Sequence, residues 1–173
     1  MSATFVVEDG TSKTDSNSYI SVADADQYND NHDQDAVWEG ADDQVKEKAL
    51  RLATAYIDDA YGNRFSGYRT EEDQALAFPR TGLTTNDGYL IDGDVIPQKL
   101  KDATVEGAIL SANGTSLMPD QTDPGAVKSK MVKVGEIQVD TEYTGGNPPN
   151  TYFKKIDKLL NQFFSASGTI ERA

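Results

Sequence analysis

The run Asp42-Asp43-Gln44-Val45-Lys46-Glu47-Lys48-Ala49-Leu50-Arg51-Leu52-Ala53-Thr54-Ala55-Tyr56-Ile57-Asp58 carries the strongest periodicity in the chain. Val45, Ala49, Leu52, Ala53, Tyr56 and Ile57 recur at i, i+3 and i+4, with Lys46, Glu47, Lys48 and Arg51 largely opposite. That spacing predicts an amphipathic helix whose apolar stripe faces a core. Asp42 or Asp43 can cap its start, and Gly62 is placed to end it.

Upstream, Ser21 with Asp24 three residues on reads as a capping-box-like start for a helix running through Val22, Ala25 and Tyr28 to about Asn31. Residues 33–40, with the single Trp38, read as an acidic linker, and Phe5-Val6-Val7 as a short strand. Downstream, a short helix is expected over Glu71–Ala77, stopped by Pro79. Asn86-Asp87-Gly88 marks a loop or small hairpin. Pro97 suits the first turn of another long helix, with Leu100, Ala103, Thr104, Gly107, Ala108 and Leu110 on its apolar face and Asn113-Gly114 at its end. The period then changes to alternation over Met131–Val139, interrupted by Gly135, which fits a bulged strand or two short strands. A last helix, about Thr151–Ser165, presents Tyr152, Phe153, Ile156, Leu159, Leu160, Phe163 and Phe164.

The expected fold class is therefore mainly α: a small helical bundle with a β-strand or hairpin insertion and a C-terminal helix and tail. The expected division is 1–114 helical domain, 115–150 loop and β insertion, and 151–173 C-terminal helix and tail. Leu52, Tyr56, Leu100 and Ala108 are the expected protomer core.

Charge narrows the function classes. The 173 residues hold 16 Lys+Arg and 29 Asp+Glu, for a net charge of −13. Residues 1–100 carry 8 basic and 20 acidic residues (8 − 20 = −12), and residues 101–173 carry 8 and 9 (8 − 9 = −1). A protein that holds nucleic acid through its phosphates needs clustered Lys and Arg to displace counterions, so tight, sequence-independent DNA binding is disfavoured. No apolar run reaches the ~18 residues of a membrane span. The N-terminus has no basic stretch and apolar segment of a secretion signal, and there is no cysteine. The expectation is a soluble protein from a reducing compartment, without a membrane role.

Catalytic constellations are not evident. His32 is the only histidine, so a triad or a two-His metal site lacks partners, and it reads as solvated surface. A calcium loop begun at Asn31 aligns Asp33 and Asp35 but has Ala36 where glycine is needed and Asp42 where glutamate is needed. Neighbouring acids such as Asp58/Asp59 and Glu71/Glu72 are expected by chance among 29. No phosphate-binding loop or nucleophile elbow is present, so neither an enzyme nor a cofactor is expected. Tyr61, Phe65, Tyr68 and Phe78 interleave with Arg64, Arg69 and Arg80, the best local case for nucleic acid. The same composition suits a subunit interface or internal ion pairing, which is favoured here.

Four stretches taken together resemble a known family: Ser18-Tyr19-Ile20-Ser21-Val22-Ala23-Asp24-Ala25-Asp26-Gln27-Tyr28, the helix Lys46–Asp58, Arg64-Phe65-Ser66-Gly67-Tyr68-Arg69, and Gln74-Ala75-Leu76-Ala77-Phe78-Pro79-Arg80-Thr81-Gly82, followed by Ile96-Pro97. Their order is similar to that of the head–tail adaptor (connector, head-completion) proteins of tailed bacteriophages. Some of these are catalogued as DnaT-like single-stranded-DNA-binding proteins. The family's Trp-Pro-Arg stands here as Phe78-Pro79-Arg80, and residues 115–173 match no family motif.

The resemblance implies a structural virion protein at the head–tail junction, made in the host cytoplasm. It would form a dodecameric ring with copies of itself, joining the portal protein to a tail or nozzle protein. The ring would extend the channel for genomic DNA, which passes without tight binding. Trp38, Arg64, Arg69, Phe78 and Arg80 are candidates for the subunit interface or for organising the loop. Phe163, Phe164, Ile170, Glu171, Arg172 and Ala173 are candidates for docking on the portal. The alternative reading is a single-stranded-DNA-binding protein; a hydrolase using only carboxylates is a distant third.

Overall fold

The computed structural model describes residues 4–32, 35–85, 87–118, 129–134, 137–142 and 153–164. Among the described residues, five α-helices and three two-stranded antiparallel sheets make it mainly α. In chain order, α1 is Val22–Asn31, α2 Ala36–Gly40 and α3 Asp43–Tyr61. β1 (Tyr68–Arg69) pairs with β2 (Arg80–Thr81), and β3 (Leu83–Thr84) with β4 (Leu90–Ile91). α4 spans Gln98–Ala112, β5 (Ser129–Val134) pairs with β6 (Ile137–Glu142), and α5 is Lys154–Leu160. The chain divides into two compact units, Met1–Leu117 with Phe153–Ala173, and Met118–Tyr152.

Local signals place the helix ends. The Ser21 hydroxyl accepts from Asp24 N at 3.1 Å and donates to Asp24 Oδ2 at 2.8 Å. Asp42 accepts from Val45 N at 2.9 Å, satisfying a first-turn donor of α3. α4 begins at Gln98, one residue after Pro97, and closes at Asn113-Gly114, where Gly114 takes φ 81°.

The core of the first unit is α3 against α4 with α5 laid on α4. The two long helices approach at Gly107, where a Cβ would lie 3.1 Å from that of Ala53. Ala49, Leu50, Ala53, Ile57, Leu100, Ala103, Ala108, Ile156 and Leu160 are buried there. The second unit contains the β5–β6 hairpin, in register from Ser129↔Glu142 to Val134↔Ile137. Of the two arrangements the alternation allowed, two short strands is the one adopted; Gly135 lies outside the described residues.

Several expectations need correction. The inward face of α3 is rotated from the expected stripe: Val45 and Leu52 are 45% and 48% exposed, while Lys46 and Leu50 are buried. Lys46 can be inside because its ammonium meets Asp26 Oδ1 at 2.8 Å and lies over the Trp38 ring, leaving only the stem in apolar contact. The acidic linker is instead the short helix α2, capped by Asp35, whose carboxylate accepts from Trp38 N. Residues 71–77 form turns rather than a helix, because the Gln74 side chain takes the backbone bonds: its Oε1 accepts from Glu71 N and its Nε2 donates to the Leu76 and Pro79 carbonyls. The N-terminal strand reduces to a parallel bridge, Val7↔Ser18. The last helix is α5 followed by a 3₁₀ turn at Asn161–Phe163.

Candidate functional site: the arginine-braced loop between α3 and α4

Residues 62–96 connect the two core helices, and Arg80 organises their first half. Its guanidinium donates from Nε to Ser66 O (2.8 Å), from NH1 to Ala77 O (3.2 Å), and from NH2 to Phe65 O (3.3 Å) and Gly67 O (2.8 Å). A planar fork of five donors can bind that many carbonyls at once, whereas an ammonium cannot. Gly67 is required beside it: φ is 69°, and a Cβ would lie 2.3 Å from Thr81 O. Burial lowers the Arg80 pKa, with the nearby Tyr19 and Asp58 opposing that shift.

The other two arginines are also engaged. Arg69 donates to Glu72 O at 2.6 Å and Gln74 O at 3.3 Å. Arg64 lies 3.6 Å from Asp157 and 3.9 Å from the centroid of the Phe164 ring. Phe78 is fully buried, with ring centroids at 4.9 Å from Phe65, 5.9 Å from Phe163 and 6.2 Å from Tyr19. The loop is fastened to the C-terminal segment by Ser66 N donating to Phe163 O at 2.8 Å.

A buried carboxylate ties this loop to the N-terminal segment. Asp58 accepts the Tyr19 hydroxyl on Oδ1 and Ala77 N on Oδ2 at 2.9 Å, and Tyr19 Oη accepts from Phe78 N at 3.3 Å. Burial pushes the Asp58 carboxyl up to about 6, against the opposing pull of those hydrogen bonds. Tyr19 is driven upward as well, first by burial and then by the Asp58 charge. Two further buried acids hold the fold. Glu8 accepts from Gly10 N, Ser12 N, Lys13 N and Ser16 Oγ. Glu106 accepts Tyr28 Oη and Lys155 Nζ, both at 2.6 Å, joining α1, α4 and α5.

Sequence reasoning missed all three. Asp58 was one of many neighbouring acids, and its partner Tyr19 is 39 residues away. Nothing in local spacing marks such a pair.

The interface role for Trp38 and Phe78 and the docking role for Phe163 each need a presented ring. The structure puts Trp38, Phe78 and Phe163 at 1%, 0% and 2% exposure, because all three fill the protomer core. Trp38 Nε1 donates to Asp26 at 2.8 Å, which completes its burial. Phe164 is half-buried, stacked on Tyr61. Ile170, Glu171, Arg172 and Ala173 lie outside the described residues. His32 is exposed and stacks on Tyr28 at 4.0 Å. Of the calcium-loop positions, Asp33 lies outside the described residues. Among the described residues no group of three or more His, Cys, Asp or Glu side chains is placed to hold a metal ion, and no helix is long and apolar enough to cross a membrane.

These features define a class first: a small helical scaffold whose arginines and aromatics brace a long loop from within. The chain belongs to the family described as "Putative DnaT-like ssDNA binding protein", whose model matches residues 3–173 and so extends over residues 115–173, where no family motif was expected. Neither the curated proteins nor the solved structures provide a match.

Proposed function

We propose that this protein is a structural virion component, a head–tail adaptor that forms a homo-oligomeric ring between portal and tail and extends the DNA channel. The observation that carries the reading is that eight of its sixteen cations are engaged within the protomer. Arg69 and Arg80 are bound to backbone carbonyls, and Lys13, Lys46, Arg51, Arg64, Lys99 and Lys155 each face a carboxylate. A net charge of −13 then dominates the surface, which suits a channel wall that DNA passes without adhering. The resemblance of residues 17–112 to the adaptors agrees with it.

The family description favours a second reading, single-stranded-DNA binding, and speaks for it more directly than for the ring. One pair of measurements separates them. Native mass spectrometry of the protein alone and mixed with its own portal should give ring addition at one copy per portal subunit. Absence of portal binding, together with salt-dependent binding of a labelled single strand, would overturn the adaptor reading. Deleting residues 166–173 should weaken portal binding and leave the thermal melt unchanged; undiminished binding would remove the tail as the dock.

A further inference from the structure

The two loop hairpins leave three large apolar side chains in solvent: Tyr68, Tyr89 and Leu90 are 81%, 73% and 67% exposed. The segments that carry them are fastened to each other. Thr70 Oγ1 donates to Gly93 O at 2.7 Å, and a Cβ on Gly93 would lie 2.6 Å from Thr81 Cγ2, so the chain leaving β4 rests on the β1–β2 hairpin. Thr81 is in turn the cross-strand partner of Tyr68. Glu71, Glu72, Asp73, Asp87, Asp92 and Asp94 in the same segments are all exposed. Residues 66–95 hold those six acids and two bases, Arg69 and Arg80 (2 − 6 = −4). Both arginines donate to backbone carbonyls, Arg80 from within the core.

We propose that this loop cluster is a docking surface for a protein segment in which Lys or Arg flanks an aliphatic or aromatic anchor. Aromatic side chains held on a braced loop supply contact area at low entropy cost, and such residues dominate interface energetics. The carboxylates complement and steer a cationic partner, while the tyrosine faces attract its ammonium or guanidinium groups. Stacking a nucleic-acid base here would set phosphates against six carboxylates, the opposite of the cationic groove such binding uses. The inference stands apart from the ring, since it assigns a protein partner's chemistry under either functional reading.

The test uses the full chain and two synthetic probes of equal charge, a short Lys/Leu peptide with a central Trp and an oligo-lysine. The Lys/Leu peptide should bind at least about tenfold tighter. Its amide chemical-shift changes should centre on residues 66–95, and Y68S/Y89S/L90S should bring the two affinities together. E71Q/E72Q/D73N, which leaves the apolar residues intact, should weaken both peptides. Equal affinity of the wild type for both probes would overturn the proposal. So would shifts centred on the other acidic stretch, residues 24–43, or the same residues responding to oligothymidine.

Discussion

Arg80 shows how much one side chain can organise when its donors are fixed in a plane. Replacing it by Lys keeps the charge but leaves most of the four carbonyls without a donor, at a cost of about 2–3 kcal/mol. A urea titration of R80K should show that loss, and a midpoint equal to wild type would refute the brace. Asp58 makes a pH prediction. Its folded pKa, about 6, lies above its ordinary 3.8, so between those values the folded chain holds a proton the unfolded chain has released. Its contribution is thus fully present below about pH 3.8, falls as pH rises, and is lost above about pH 6, a change on the order of 2–3 kcal/mol. Asp58→Asn keeps an acceptor for Ala77 N and cannot titrate. The wild-type-minus-variant stability difference should therefore slope downward from pH 4 to 6, and a flat difference would contradict the burial of this carboxyl.

At the level of elements, the α3–α4 crossing depends on Gly107. Gly107→Val places branched carbons where even a Cβ sits 3.1 Å from Ala53, and should cost about 1–3 kcal/mol through overpacking. Leu52→Ala, on the exposed edge of the same helix, should change the melt by less than about 0.5 kcal/mol. The pair tests the rotated face directly, because the periodicity alone ranks Leu52 with the core. The ambiguity is physical: Leu52 and Val45 are seven apart and lie at the margin of an apolar arc. Which margin turns inward was decided by Asp26 and Trp38, which accommodate Lys46 on one side and leave Leu52 outside.

For the whole molecule, the first unit contains its own core, with α5 returning to α4 after the second unit. Replacing residues 118–152 with a Gly/Ser linker should leave a cooperatively melting protein, its Tm within a few degrees of wild type after allowance for the modest loop-closure entropy. Loss of a cooperative transition would mean the first unit depends on the second.

The sequence by itself determined what depends on neighbours three or four residues apart. Ser21, Asp42 or Asp43, and Asn113-Gly114 placed helix ends because a cap bonds within one turn, and the change of period after residue 130 announced extended chain, as one bulged strand or two short ones. It also determined the net charge. Only the tertiary structure decided where the side chains of the candidate site went. Interface or internal pairing is the favoured reading of the Arg64–Arg80 stretch, but only the fold shows Arg80 reaching the carbonyls of residues 65–67 and Phe78 closing on Tyr19. Trp38 and Phe163 were candidates for contacts outside the protomer, yet both are buried, because burial is set by what packs against a ring. The Asp58–Tyr19 and Glu106–Tyr28 bonds span 39 and 78 residues. Such contacts leave no periodic trace, because hydrogen bonding across the core depends on distances that only the folded chain creates.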